Sequence, residues 1–288
     1  MKCQAYIRVT SQQEALEAAA RYGEKTLFVA GATDVLVKAR ESDPYGQRAL
    51  VEISDARDLA YVRESEHHLH IGALCTHSQL AQDPLVTRYC GMLAQACASV
   101  GSPQVRNRGT IGGNIANASP AADSLPALAA LHGRLVCKSA AGERTVELGS
   151  FVQGAYRTAA APGELITEIV VDKLPPQARQ HFCKIARRNA LAISRITIAA
   201  GVELDSQGKV MQLRLALGSV FPQPVVFEDI NRIPVGQQPT PGLIQQVAEA
   251  LSEQIPKIAG IRASTAYKQP VSRMMVERVL SQLMEEVQ

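Results

Sequence analysis

Two glycine-containing segments hold the residues best suited to binding a ligand in this chain of 288 residues. The first is 29–35 (VAGATDV) and the second is 109–114 (GTIGGN). Glycine lets a backbone approach a ligand closely and expose successive N–H groups, which suits the acceptor oxygens of a phosphate. The hydroxyls of Thr33 and Thr110 offer two further donors. These residue types predict pyrophosphate binding, and we expect no catalytic acid, base or nucleophile in this chain.

Neither segment is a certain nucleotide motif by its spacing. No G-x-G-x-x-G follows the first predicted strand, and no G-x-x-x-x-G-K-[ST] occurs, so a Rossmann site is poorly supported and a P-loop is excluded. A Gly-Gly pair is also common in ordinary turns. Spacing alone therefore leaves an ordinary turn and a phosphate-binding loop both open.

A metal site is not expected. The six cysteines form no C-x-x-C pair, and their spacing fits neither zinc nor an iron–sulfur cluster. His68 and His70 share a strand face in the polar stretch 64–70 (ESEHHLH), which leaves a metal site as an alternative. Since no carboxylate or thiol follows at a suitable spacing, a solvated hairpin is favoured.

Composition excludes several classes of protein. The net charge is only +3, aromatic residues are 4% and tryptophan is absent, so we expect no nucleic-acid partner. No apolar run approaches the roughly 18 residues of a membrane span. The N-terminus lacks the apolar core of a signal peptide, so we expect a cytoplasmic protein with no membrane span.

The elements that must position the two segments begin with an α/β unit. Ser11 and Glu14 form a capping box for a helix that Gly23 ends. The apolar runs 26–30 and 49–53 predict buried strands. The start of the chain therefore reads as strand, helix, strand, loop and strand.

A second group of elements follows in the same half of the chain. We predict strands at 69–73 and 165–171, a helix from Asp83–Pro84 to about Ser99, a helix capped by Asp123 or Ser124 and ended by Gly133, and a hairpin of 134–138 and 144–148 that turns at Gly142.

A polar, proline-containing break at 173–180 (KLPPQARQ) predicts a domain boundary. Beyond it we predict strands at 181–186, 197–204 and 210–217, and helices near 242–253 and 264–287. The expected domains are 1–175, with subdomains of about 1–57 and 58–175, and 181–288.

The pairing of 29–36 (VAGATDVL) with 109–128 (GTIGGNIANASPAADSLPAL) resembles the FAD-binding subunits of the xanthine dehydrogenase and carbon monoxide dehydrogenase family. Their loops usually read A-G-G-T-D-L, and T-x-G-G-N-I followed by S-P-x-x-D. The motifs follow one another in the same order as in that family, and the segment 184–194 (KIARRNALAIS) also matches. The resemblance therefore covers nearly the whole chain. It implies an α+β fold: the two-subdomain FAD-binding fold of the vanillyl-alcohol oxidase (PCMH) type, then a small C-terminal α+β domain with a three-stranded antiparallel sheet.

The resemblance also assigns cofactor-binding residues by position. Both loops would surround the FAD pyrophosphate, Asp123 would hold a cofactor hydroxyl, and Ile166 would lie against the flavin. The full set is Val29, Ala30, Gly31, Ala32, Thr33, Asp34, Val35, Gly101, Thr110, Ile111, Gly112, Gly113, Asn114, Asp123, Ile166 and Lys184. Ala32 stands where many members have glycine, so a positive φ there would cost on the order of 1 kcal/mol.

The function that the resemblance implies is electron transfer by an oxidoreductase subunit. A separate large subunit would carry the molybdenum cofactor, and a small subunit would carry [2Fe–2S] clusters. Electrons would pass through FAD to NAD or another acceptor. Two alternatives stay open: a flavin-free scaffold, for which Ala32 is the only hint, and a self-contained flavin oxidase. The absence of His and Cys from both loops disfavours a tethered flavin.

Overall fold

The computed structural model describes residues 3–42, 45–188 and 191–284. The chain begins with β1 (Ala5–Arg8), α1 (Gln12–Tyr22), β2 (Thr26–Val29), α2 (Val35–Glu41) and β3 (Ala49–Glu52). The three strands form a parallel sheet in the order β1-β3-β2. No described helix is long and apolar enough to cross a membrane.

The predicted start of the chain is largely confirmed. Ser11 accepts a hydrogen bond from the N–H of Glu14 at 3.2 Å, and Gly23 ends α1 with φ of 54°. The Glu14 carboxylate accepts from the N–H of Thr10 at 2.7 Å. The prediction of a loop between β2 and β3 was wrong in part, because that segment contains α2.

The next part of the chain builds the sheet that supports the second glycine segment. Its elements are β4 (Val62–Glu64), β5 (His68–Gly72), α3 (His77–Gln82), α4 (Pro84–Tyr89), α5 (Gly91–Ser99), α6 (Pro103–Arg108), α7 (Ile111–Asn117), α8 (Ser124–Ala130), β6 (Arg134–Ser139), β7 (Gly142–Glu147), α9 (Leu148–Phe151), β8 (Val152–Gly154), β9 (Arg157–Thr158) and β10 (Leu165–Asp172). Five strands form an antiparallel sheet, β4-β5-β10-β6-β7, whose apolar face covers the largest core.

Two helix predictions in this part need correction. The helix expected from Asp83 to Ser99 is broken at Cys90, whose φ of −133° and ψ of 45° are not helical, so α4 and α5 are separate. Asp123 precedes α8, but its side chain makes no capping hydrogen bond. Ser124 does not cap either, since its hydroxyl donates to Asn114 Oδ1 at 2.6 Å.

The C-terminal part forms the three-stranded antiparallel sheet that was predicted, and the structure shows helices packed on one of its faces. Its elements are β11 (Arg179–Ala186), β12 (Ser194–Leu204), β13 (Val210–Gly218), α10 (Glu228–Arg232), α11 (Pro241–Ser252), α12 (Gln254–Ala259) and α13 (Thr265–Met284). Residues 285–287 of the last predicted helix lie outside the described residues.

The C-terminal sheet is buried on both faces, which explains its long apolar runs. Ile196 and Ile198 face a core shared with α11 and α13, whereas Ala199 belongs to the large core of the preceding part. A Cβ at Gly201 would lie 2.8 Å from both Leu174 Cδ1 and Met92 Cε. The two parts therefore meet through closely packed small residues.

Candidate functional site

The two glycine segments lie directly against each other. A Cβ at Gly31 would overlap the carbonyl oxygen of Arg108 and lie 2.5 Å from its carbonyl carbon. A Cβ at Gly109 would lie 3.6 Å from Thr33 Oγ1. Gly31 is therefore required by the close approach of one segment to the other, and the tertiary fold brings the two segments together.

The first segment presents the donors that a pyrophosphate needs. Within the described part of the chain, none of the backbone N–H groups of residues 31–35 donates a hydrogen bond to a protein acceptor. Ala32 has φ of 59°, so the position does require the left-handed conformation, at a cost on the order of 1 kcal/mol. Successive free N–H groups beside a left-handed residue form a concave anion site. The segment thus fits the diphosphate of FAD.

The second segment is not the open loop that its glycines predicted. It begins α7, and the Thr110 hydroxyl caps the helix by accepting from the N–H of Gly113 at 3.1 Å. The N–H groups of Ile111, Gly112 and Asn114 donate to Cys75, Ala73 and Thr110 carbonyls respectively, each at 2.9 Å. The prediction that this segment exposes successive N–H groups is therefore wrong, because the protein itself uses them.

The two adjacent glycines of α7 have different roles. A Cβ at Gly112 would lie 2.7 Å from Ala73 Cβ, so Gly112 lets the helix pack onto the end of β5. Gly113 is exposed, and a Cβ there would meet only Thr110 Oγ1, at 2.9 Å. Gly113 and the half-buried Asn114 are therefore the parts of this segment that a ligand can reach.

A polar link that the sequence did not predict joins the two segments. Asn117 donates from Nδ2 to Asp34 Oδ1 at 2.8 Å and accepts from Lys38 Nζ at 2.7 Å. The Lys38 ammonium also lies 4.9 Å from the ring centre of Tyr156. No spacing rule pairs α2 with the end of α7, so this link could not be found before the structure.

Asp123 and Lys184, assigned to the site separately, form a buried ion pair. The Lys184 Nζ–Asp123 Oδ2 distance is 2.6 Å, and Lys184 also donates to the Ser99 carbonyl at 3.1 Å. The hydroxyl of Ser194 donates to the other Asp123 oxygen. Both carboxylate oxygens thus have protein partners, and each keeps lone pairs for a further donor. Ser194 was not predicted, because its partner lies in the preceding part of the chain.

The remaining assigned residues flank this centre. Ile166 is 8% exposed and lies beside a β-bulge in β10. The bulged residue, Thr167, accepts from the N–H of Ala73 at 3.0 Å, and Ala73 in turn holds Gly112. Gly101 is exposed with φ of 42° and precedes Ser102, the N-cap of α6. Val29 and Ala30 are half-buried at the end of β2.

His77 lies beneath the second segment and is 2% exposed. Its backbone N–H donates to the Gly109 carbonyl at 3.0 Å, and its Nδ1 has no hydrogen-bond partner among the described residues. Burial, assisted by the charge of Arg106, lowers the pKa of His77 to about 4. His77 is therefore neutral at physiological pH, and protonation would place an unpaired charge in the core.

We expect stability to fall as the pH drops from 6.5 towards 4. In that range the unfolded chain binds a proton at this histidine and the folded chain does not, which costs about 2 kcal/mol by pH 5. Urea unfolding of the wild type and His77→Gln at pH 7 and pH 5 measures this. An equal loss in the variant would show that other groups cause the pH dependence.

Comparison with known proteins agrees with the geometry. Residues 1–174 match the family described as FAD binding domain in molybdopterin dehydrogenase, and residues 181–283 match the CO dehydrogenase flavoprotein C-terminal domain. The chain belongs to the FAD-binding subunits of molybdenum hydroxylases. It is accordingly an oxidoreductase subunit of the xanthine dehydrogenase and CO dehydrogenase type that binds FAD.

Individual relatives of this flavoprotein subunit match along most of their length. The nicotinate dehydrogenase FAD-subunit of Eubacterium barkeri is 30% identical over 89% of this chain and 88% of its own. The carbon monoxide dehydrogenase medium chain of Hydrogenophaga pseudoflava is 29% identical over 93% and 92% respectively. The solved carbon monoxide dehydrogenase of Hydrogenophaga pseudoflava superimposes with a TM-score of 0.88 at 27% identity, over 98% of this chain and 97% of that one. The predicted fold and family are thus confirmed.

Proposed function

We propose that this subunit receives electrons from [2Fe–2S] clusters of a partner subunit and passes them through FAD to NAD or another acceptor. The observation that carries the proposal is the row of free N–H groups at residues 31–35, held against the end of α6, just before α7, by the contact between Gly31 and Arg108. When bound, FAD supplies both one-electron and two-electron chemistry. The residues of this chain bind and orient it.

Each part of the site has a separate task in this proposal. The N–H groups of 31–35 and the Thr33 hydroxyl hold the diphosphate, with Val29 and Ala30 placing the segment at the end of β2. Gly113 and Asn114 line the opposite wall, and Gly101 borders it. Asp123 accepts from a cofactor hydroxyl while Lys184 balances its charge. Ile166 contributes apolar surface for the flavin ring.

The proposed partners are a large subunit with the molybdenum cofactor and a small [2Fe–2S] subunit. The support is that the matching relatives are named as subunits or medium chains of dehydrogenases. We also propose the division into domains at 1–175, with subdomains of about 1–57 and 58–175, and 181–288. The cytoplasmic location stays a prediction.

The visible spectrum of the purified subunit, before and after acid precipitation, tests the site. Flavin bands released into the supernatant would support FAD held by the non-covalent contacts described above. A colourless protein that FAD cannot reconstitute would contradict the site and favour a flavin-free scaffold. Bands that stay with the pellet would favour a self-contained oxidase with a tethered flavin. Co-purification with molybdenum and iron–sulfur subunits tests the partners.

We expect Gly113→Val to lower FAD retention by about tenfold or more. A β-branched side chain there would cover the wall that the cofactor approaches and would crowd the Thr110 cap. Equilibrium dialysis against FAD measures the loss, and circular dichroism checks the fold. Thr110→Ser, which keeps the capping hydroxyl, is the matched control. Full flavin occupancy in Gly113→Val would contradict the placement of FAD against α7.

A further inference from the structure

Three cationic side chains gather near the start of α13 without an acidic partner. Arg195 lies in β12, Arg262 precedes α13 and Lys268 lies in the first turn of that helix. Across the described ranges, none of the three forms an ion pair with Asp or Glu. The guanidinium carbon of Arg195 lies 5.5 Å from the ring centre of Tyr267, which orients that side chain. We call these three residues the α13 cation cluster.

The α13 cation cluster is electrostatically unfavourable as it stands. Burial lowers the pKa of Lys268, and the positive charges of Arg262 and Arg195 lower it further. Lys268 nevertheless donates to the Ser219 carbonyl at 2.7 Å, so its ammonium is held in place. The N-terminal turn of a helix also carries partial positive charge, which disfavours a cation there. Proteins often keep locally unfavourable interactions, such as this repulsion between like charges, at binding sites.

A β-bulge and a backbone hydrogen bond place the α13 cation cluster beside residues of the proposed FAD site. Ala186 of β11 pairs with Ser194 and Ile185 pairs with Ile196, so Arg195 is the extra residue of the bulge. Bulges re-aim side chains and are common next to functional sites. Here Ser194 points to Asp123, while Arg195, whose Cα is about 3.8 Å further along the chain, reaches Tyr267. Ser219, whose carbonyl accepts from Lys268, donates its N–H to the Pro120 carbonyl at 3.1 Å, so the cluster lies next to the loop that leads to Asp123.

We propose that the α13 cation cluster binds the diphosphate of a nucleotide electron acceptor at the edge of the FAD site. Guanidinium groups match phosphate oxygens with paired hydrogen bonds, and a lysine adds a point charge. The exposed Arg262 can adjust to a ligand, whereas the anchored Lys268 and the stacked Arg195 are already in position. This inference rests on the proposed function, because it names the chemistry of the acceptor that the FAD site serves.

Calorimetric titration of the FAD-loaded subunit with inorganic pyrophosphate and with ADP-ribose tests the inference. The variant is Arg195→Gln with Arg262→Gln. The control is Arg232→Gln with Lys257→Gln, which removes the same charge from exposed residues that pair with Asp229 and Glu253. We expect the first variant to bind both probes about tenfold more weakly or worse, and the control to match the wild type. The wild-type affinity should also fall as salt rises.

Three results would overturn the inference. These are wild-type affinity in the cluster variant, an equal loss in the control, and a wild type that binds neither probe. Weakened association with the partner subunits in place of weakened nucleotide binding would instead assign the cluster to an acidic protein segment. Flavin absorbance of every sample is recorded separately. A flavin-loaded wild type that ignores both probes refutes only this inference, whereas a wild type without flavin refutes the proposed function.

Discussion

Gly31→Ala is expected to abolish FAD retention and to destabilise the subunit by about 3 kcal/mol or more. The new Cβ would overlap the Arg108 carbonyl oxygen, and that backbone cannot rotate away as a side chain can. Arg108 ends α6, and Gly109 is fixed by hydrogen bonds to Val105 and His77. The segment 31–35 must therefore shift, which moves its free N–H groups away from the cofactor. FAD titration and urea unfolding measure the two losses.

Ala32→Gly is the matched control at the neighbouring position. Ala32 already has φ of 59°, so glycine relieves strain, and we expect unchanged or slightly higher stability. FAD retention should stay at or above the wild-type level. Normal flavin binding by Gly31→Ala would show that the contact between the two segments does not organise the site. Loss of flavin in Ala32→Gly would show that the alanine methyl itself contributes.

Breaking the Asp123–Lys184 pair is expected to have the second large effect. The two side chains are 5% and 17% exposed, so Lys184→Met leaves a buried carboxylate whose one remaining partner among the described residues is the Ser194 hydroxyl. Removing one member of a buried pair costs about 3–5 kcal/mol. Asp123→Ala should also weaken FAD retention, although by less than Gly113→Val. Chemical unfolding and flavin titration of each variant give the two quantities separately.

The double variant Asp123→Asn with Lys184→Met separates stability from cofactor binding. Without an unpaired buried charge, its unfolding free energy should be higher than that of Lys184→Met. Its FAD affinity should stay below the wild-type value, because the amide oxygen of asparagine is a weaker acceptor than a carboxylate. Full recovery of FAD affinity would contradict the role proposed for Asp123. Additive losses of stability would show that the two charges do not interact.

Local sequence signals located most elements because they act over a few residues. The Ser11 cap and Gly23 set both ends of α1, and alternating or continuous apolar runs located most strands of the three main sheets, although β4 was missed. The same signals failed at Cys90, where the break between α4 and α5 coincides with a buried side chain and no strong breaker precedes it. They also failed at α2, which is short and has no buried residue.

The paired motifs at 29–36 and 109–128 determined the family, since their fixed offsets can be read without knowing the fold. They did not determine what each glycine does. Because they lack a side chain, Gly31 and Gly112 allow other backbone or side-chain atoms to pack closely against them, whereas Gly113 faces outwards. The free N–H donors lie in the first segment. In the second segment, the Thr110 cap and the Ala73 carbonyl already accept hydrogen bonds from the backbone N–H groups. Such competition for backbone donors depends on which elements come together, and only the tertiary structure decides that.

The same distinction holds for the charges of the site. The sequence determined that Asp123 and Lys184 belong to an FAD-binding subunit, but it gave no reason to pair residues 61 positions apart. Packing of β11 and β12 against the first part of the chain made them partners, and the bulge at Arg195 added Ser194. Asp123, Lys184 and Ser194 interact strongly because they are buried, and a charge removed from water is costly unless it is paired.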